Sequence, residues 1–369
     1  MGISGPMITA INAIENCRFC LMCRHVAPVG HVTHNESLTP HGIALVASMQ
    51  RRGNLAWNAS TLDVLYAEPD GGNCRAHCVT DQPLPAAIAA IRAEVVAEGL
   101  APAAITQVND QILKNHSAFG TYQPATLQGE WGLFVGDAGF NLVSSTMQAA
   151  LSLLAACKVD AVPVGCGLDS GFIPCSLGFP DTARRQSQLC IDELRGAGVK
   201  KLLVLSPQDL FAFRQMYEER LGLSWPEEIV LIDLVDFLAD QIREGRLRIK
   251  PLTKTKENAT AYVDPTHAVR LPARFDSSRV LCEATLGHPP LELFWSRERA
   301  HPVGSTAIQF TRPEIGVRLT ESRLRDAMSR GAQILLCDDP ATLHELALRN
   351  KYPLKVQCLY ELLFAQLLK

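Results

Sequence analysis

The sequence predicts an α+β multidomain chain, with a helical, loop-rich N-terminal segment followed by a duplicated α/β unit. Three observations predict it. Over the first ~115 residues the apolar positions recur with helical spacing and are interrupted by turn-formers. From about residue 130 short apolar runs alternate with amphipathic stretches. The alternation then restarts in a second copy.

In the N-terminal part, helical periodicity covers residues 40–52 and 84–98, the second ending at Gly99, a stop signal. Between them Glu68-Pro69-Asp70-Gly71-Gly72-Asn73 is a dense run of turn-formers. In the first α/β copy, strands are expected at 133–135, 201–205 and 229–232, and helices at 147–157, 183–194, 208–221 and 236–243. The repeat shows in two pairs of segments. Gly198-Val-Lys-Lys-Leu-Leu-Val-Leu-Ser206-Pro207 matches Gly331-Ala-Gln-Ile-Leu-Leu-Cys-Asp-Asp339-Pro340, each a glycine, an apolar strand and a polar-Pro turn opening a helix. Phe134-Val135-Gly136-Asp137 parallels Val263-Asp264-Pro265-Thr266. The expected domains are 1–115, 128–248 and 258–369, joined in the last case by the polar run 254–258.

Composition narrows the function. Of 369 residues, 47% are hydrophobic and 20% charged, as in ordinary globular proteins. A formal net charge of -3 with scattered basic residues gives no field for nucleic acid or anionic membranes. No apolar stretch reaches the roughly 18 to 20 residues of a bilayer span. The N-terminus lacks the pattern of a secretory signal, so a cytoplasmic location is expected. Twelve cysteines in such a chain point away from a disulfide framework and toward metal or cluster ligation.

Cys17-x-x-Cys20-x-x-Cys23-x-x-x-Ala27-Pro28 is a bacterial cluster-binding run with its fourth cysteine replaced by alanine. Three thiolates on one tight loop can reach three irons of a cubane. In two-cluster folds the fourth cysteine of such a run serves the other cluster. Cys74-x-x-x-Cys78 stands where the end of a second run belongs. The first cluster would then take Cys17, Cys20, Cys23 and Cys78, all present. The second would need Glu68, Gly71, Cys74 and Ala27, so only one thiolate remains and one [4Fe–4S] cluster is expected. Structural zinc is the competing occupant, although zinc sites usually come as two separated Cys-x-x-Cys knuckles. Cys74 is read as a packed small residue, and His25 and His31 as surface groups or neighbours of the cluster's ligands.

The chain resembles the iron–sulfur subunits of glycolate oxidase, anaerobic glycerol-3-phosphate dehydrogenase and lactate-utilisation oxidoreductases. These join an α-helical ferredoxin domain to two cysteine-rich CCG repeats, as in heterodisulfide reductase. The matching residues are Cys17-Arg-Phe-Cys-Leu-Met-Cys23, Thr39-Pro40-His41-Gly42 and Cys74-Arg-Ala-His-Cys78, with Asp264-Pro265-Thr266-His267 and 331–340 in the repeats. The repeats depart from the family at its ligand positions. Asp137, Asp169-Ser170-Gly171 and Ser206-Pro207 replace them in the first repeat; Thr266, Pro302-Val303-Gly304 and Asp339-Pro340 replace them in the second. The resemblance therefore implies a duplicated CCG-type domain that keeps its fold and lacks its redox ligands. Cys166, Cys175 and Cys337 are read as packing residues.

The implied function is electron transfer, with this chain a non-catalytic subunit of an oxidoreductase complex. FAD or FMN would sit on a partner flavoprotein dehydrogenase subunit. An electron-transfer flavoprotein or quinone-linked acceptor would lie downstream, and such partners could hold the chain at the inner membrane. The alternative is a structural or assembly subunit whose cluster or zinc only stabilises the N-terminal domain. No phosphate-binding loop or nucleophile elbow supports an independent enzyme. His267 is the one candidate for proton chemistry, and as a repeat-motif residue it reads more simply as structural.

Overall fold

The apolar runs Trp131–Val135 (β1) and Lys201–Val204 (β3) form the inner strands of a four-stranded parallel sheet, flanked by Ala161–Cys166 (β2) and Val230–Asp233 (β4). A second parallel sheet is built from Thr260–Tyr262 (β5), Leu291–Glu292 (β6), Ile334–Cys337 (β7) and Lys355–Cys358 (β8). The orders are β2-β1-β3-β4 and β6-β5-β7-β8, so the two sheets share one topology. This computed structural model describes residues 5–17, 20–252 and 259–368; the expected connection at 254–258 lies outside them.

Strand side chains alternate between two cores, as the period of two requires. Phe134, Leu202 and Val204 face one core, which they share with Met7, Ile11, Ile88 and Ile91 of the N-terminal helices. Leu133, Val135, Leu203 and Leu205 face the other, shared with Tyr262, Leu335, Leu336 and Leu363. The first sheet is thus covered on both faces, which is why its strands read as continuous apolar runs. The chain end also crosses between the α/β halves. Helix Leu359–Ala365 packs on helix Ser144–Ala156, and Ile249 bridges Leu367 in antiparallel fashion.

The N-terminal part is helical: Gly5–Asn16, Pro40–Arg51, Ala59–Leu65, Leu84–Ala97 and Ala103–Asn115 are its longer helices. Local chemistry sets their starts. Pro40 occupies the first turn, where its missing N–H costs nothing. Asn58 and Thr61 form a reciprocal capping box, the Asn58 side chain accepting from the Thr61 N–H at 3.1 Å and Thr61 Oγ1 from the Asn58 N–H at 2.8 Å. Gly42 is required by close approach: a Cβ there would stand 2.4 Å from the Glu36 carbonyl. The expected helix at 208–221 divides into an α-helical turn, Pro207–Phe211, and a π-helix, Ala212–Leu221.

Three segments meet at a buried charge cluster. Asp70, in the left-handed region at φ 57, accepts from both terminal nitrogens of Arg220 at 2.6 and 2.8 Å and from Arg270 at 2.6 Å. Burial opposes ionisation of this carboxyl, but the two guanidinium groups outweigh it and hold it well below the usual range. Gly72 makes room, since a Cβ there would lie 2.8 Å from the Arg270 side chain. Nearby, buried Arg92 donates to the carbonyls of Leu65, Glu68 and Ser176. Removing one partner of such a buried pair leaves an uncompensated charge and typically costs about 3–5 kcal/mol. Asp70→Ala is therefore expected to lower the stability of the full chain by roughly that amount, read as a fall in its urea unfolding midpoint.

Candidate metal centre

The cysteine triplet begins where helix Gly5–Asn16 ends, with the Cys17 N–H still donating to Ala13. Leu21 takes a left-handed conformation at φ 64 and turns the chain into a short 3-10 helix, Met22–Val26, which carries Cys23. From the other side, the single helical turn Asn73–Ala76 follows the Asp70 loop and delivers Cys78. Cys17, Cys20, Cys23 and Cys78 line one cavity of about 110 Å³. Its other walls are mainly apolar, from Leu21, Met22, Val79 and Leu84. Cys20 is exposed and the other three are half-buried. Cys78 also borders an open groove of about 460 Å³ with Arg75, Asp81, Gln215 and Arg270.

Two further residues reach this cavity. Cys74 is buried, as its reading as a packing residue requires, yet it also lines the cavity wall. His41 lines it too, with Thr39 Oγ1 2.9 Å from Nδ1 and a Glu36 carboxylate oxygen 3.2 Å from Nε2. His41 was not among the candidate site residues; the signal for it was Thr39-Pro40-His41-Gly42. His25 and His31 lie outside the cavity. His25 meets His77 edge-on, and His31 packs against Trp295 and His301.

The electrostatics favour a cationic occupant. Burial, with the neighbouring Cys17 sulfur, pushes the Cys23 thiol up to about 11. At Cys78 burial acts in the same direction but is outweighed by hydrogen bonds from Thr80 and Gln82, so its thiol titrates below the ordinary value. Thiols crowded in this way ionise together only against positive charge, which metal ions supply. Among the described residues, no three His, Cys, Asp or Glu side chains converge on a single-ion position. A tetrahedral zinc with Zn–S of about 2.3 Å would draw its sulfurs to roughly 3.8 Å from one another. The thiols surround a volume, which suits a multi-iron group.

The four positions of the second ligand set also come together. Ala27, Glu68, Gly71 and Cys74 line one space, but its volume is about 10 Å³. Cys74 borders both spaces.

Of the repeat positions compared with the family, Asp137, Asp169, Ser206 and Asp339 come together at the junction of the sheets. Asp137, Asp169 and Ser206 line a space of about 20 Å³ together with Asp209, which the sequence analysis did not single out. Ser206 Oγ donates to Asp339 across the repeats at 2.8 Å. Asp137 accepts from Ser117 Oγ, Asn141 Nδ2 and the Ala118 N–H. Thr266 accepts from the Val303 N–H and contacts Ser305 Oγ at 3.1 Å. Cys175 and Cys337 are buried and Cys166 half-buried; none reaches the cysteine cavity. His267 is buried against Phe172 and Phe211, neither ring nitrogen has a hydrogen-bond partner, and burial lowers its pKa to about 3. It is a neutral packing residue.

No family model matches the chain. Two curated proteins are similar to it, both of them subunits of dihydromethanophenazine:CoB--CoM heterodisulfide reductase. The Methanosarcina barkeri protein is 29% identical over 157 residues, 42% of this chain and 37% of that protein. The Methanosarcina mazei protein is 26% identical over 156 residues, with the same shares of each chain. The matched region thus spans little more than a third of these relatives' length. A solved structure of a hypothetical protein from Helicobacter pylori has a TM-score of 0.59 at 11% identity, covering 93% of this chain and 71% of that one, and shows a shared fold alone. The reductase relatives support the family read from the cysteine run and the repeats, the CCG-type iron–sulfur subunits.

The carboxyl cluster at the sheet junction sets a pH dependence. Burial, with Asp339 and Asp137 close by, pushes the Asp209 carboxyl up to about 7. A carboxyl raised from 3.8 to about 7 in the folded state contributes stability below pH 4. That contribution is lost as pH rises through 7, a difference on the order of 4 kcal/mol at most. Asp209→Asn is expected to flatten the fall in stability between pH 5 and 8, measured by urea unfolding across that range.

Proposed function

We propose that the chain is an electron-transfer subunit of a multi-subunit oxidoreductase and carries one [4Fe–4S] cluster on Cys17, Cys20, Cys23 and Cys78. The observation that carries this reading is the contrast between two spaces. The complete thiolate set surrounds about 110 Å³, whereas Ala27, Glu68, Gly71 and Cys74 enclose about 10 Å³. The curated relatives, named as heterodisulfide reductase subunits, support a place in a redox complex. When bound, the cluster supplies one-electron acceptance and release. The protein's part is to hold four thiolates around an apolar cavity and to keep Cys20 and the Cys78 groove open to partners.

The donor in this reading is a flavin on a flavoprotein dehydrogenase subunit, and the acceptor an electron-transfer flavoprotein or a quinone-linked carrier. We place the complex in the cytoplasm, with any membrane contact made through partners; no helix among the described residues is long and apolar enough to cross a bilayer. The N-terminal part is the ferredoxin-like domain, and the two sheets are the duplicated CCG-type repeats, a reading their identical strand order supports. A structural role is the second reading. It draws on the repeat junction, where hydroxyls and carboxyls bond to one another at the positions of the family's redox ligands.

Iron and acid-labile sulfide should each approach about four per chain in anaerobically purified protein. A content near twice that would reject the single-cluster reading, and one zinc without sulfide would leave the structural one. Two substitutions then test the ligand set. Cys78→Ser should weaken the four-iron spectrum or yield a three-iron form, since a hydroxyl is the poorer ligand for a soft site. Cys74→Ser should leave the spectrum nearly unchanged, and the reverse ranking would overturn the assignment of Cys78.

A further inference from the structure

Among the described residues, Cys78 sits in a tight turn that closes around its own sulfur. The Cys78 carbonyl accepts the Asp81 N–H at 3.0 Å, closing the turn. Asp81 then takes a left-handed conformation at φ 46, which folds the next peptide back. The Gln82 N–H consequently donates to Cys78 Sγ at 3.4 Å, and Thr80 Oγ1 stands at 3.4 Å from the same sulfur. Further contacts hold this geometry. Gln82 Nε2 donates to the Thr80 carbonyl at 3.0 Å, and Arg75 reaches Asp81 at 3.2 Å while gripping both oxygens of Glu219 on the π-helix.

In the free thiol, either Cys78 or Thr80 can be the donor of their shared hydrogen bond. A sulfur bonded to iron carries no proton, so the Thr80 hydroxyl must then donate. Two donors, one hydroxyl and one amide, would point at a single ligand sulfur. Hydrogen bonds to ligand sulfurs stabilise the more negative, reduced state and raise its potential. We propose that Thr80 is a positioning residue that tunes the cluster's reduction potential through its hydrogen bond to Cys78. The proposal rests on the reading of Cys78 as an iron ligand. It assigns a function to an exposed threonine that otherwise looks like an ordinary turn residue.

The test is a reductive titration of the full chain, followed by electron spin resonance, with iron and sulfide measured on the same samples. Thr80→Val removes the hydroxyl and keeps the shape. It should leave about four irons per chain while moving the midpoint to a more negative value. The equilibrium constant for reduction should fall about threefold to tenfold, the tenfold limit corresponding to about 59 mV for one electron. Thr80→Ser, which retains the hydroxyl, should restore the midpoint. A fully loaded Thr80→Val protein with the wild-type midpoint would overturn the tuning role while leaving the cluster assignment intact. Loss of iron from Thr80→Val alone would make Thr80 structural and also overturn it. A wild-type chain without iron would remove both the inference and the reading beneath it.

Discussion

The structure depends on one carboxylate. Asp70 comes from the helical N-terminal part, Arg220 from the first α/β half and Arg270 from the second, and their bonds close within a buried centre. A charge this deep is tolerated only when fully paired, so the three segments have one arrangement in which the pairing is complete. The consequence reaches the candidate metal centre through the residues that follow. Asn73 Nδ2 donates to the Ala300 carbonyl of the second half at 2.6 Å, and Arg75 grips Glu219 of the first. The segment that presents Cys74 and Cys78 is therefore anchored on both α/β halves. Helix Gly5–Asn16, which leads into the triplet, packs on helix Leu84–Ala97 and on the π-helix that carries Arg220. The α/β scaffold thus holds the two halves of the cysteine set in register.

Buried carboxyls of the same type behave oppositely in the two centres. Both Asp70 and Asp209 lie out of contact with water, so desolvation pushes both toward the neutral acid. Asp70 has two guanidinium partners and stays ionised. Asp209 faces Asp137 and Asp339, and their charges add to the desolvation. Burial alone decides neither outcome; the sign comes from the partners the fold brings up. The charge cluster thus fastens the N-terminal part to the scaffold in every ordinary condition, while the sheet junction carries a proton-dependent element between the two halves.

Much of the architecture was legible because it is local. The spacing of the triplet is short-range information, and the strand at β1 announced itself as an apolar run flanked by glycine. The expected helix at 84–98 appears as Leu84–Ala97, its end set by the turn at Gly99. Other features were not legible, for definite reasons. The two-residue strand Leu291–Glu292 is exposed and exists only through its pairing with β5. The division of 207–221 into α and π segments has no sequence marker that we can identify. Asp70 read only as a turn residue, because its partners lie 150 and 200 positions away. Cys74 was read as a packing residue, and burial agrees, but its place between two spaces follows from the geometry of one helical turn. Asp209 carried no motif and gains its significance from Asp137 and Asp339, which only the fold places beside it.

The cysteine cavity, the space at Ala27 and the sheet junction differ in how their walls meet. At Ala27, Glu68, Gly71 and Cys74, small side chains and a buried carboxylate allowed the walls to approach until about 10 Å³ remains. At the sheet junction the substitutes are polar, and polar groups removed from water must find partners. Ser206 bonds Asp339, Asp137 takes three donors, and Thr266 bridges Val303 and Ser305. Mutually satisfying hydrogen-bonding groups cost far less than bare buried acceptors, which is how these hydroxyls and carboxyls stay buried together. Asp169 Oδ2 stays without a hydrogen-bond partner, and burial, with the Asp137 carboxyl close by, holds the Asp169 carboxyl toward the protonated form. Neither device operates at Cys17, Cys20, Cys23 and Cys78. There the walls are mainly apolar, with His41, Thr80 and Gln82 among the polar lining residues. Sulfur and mainly apolar walls of this kind offer a bound group dispersion contacts from several sides.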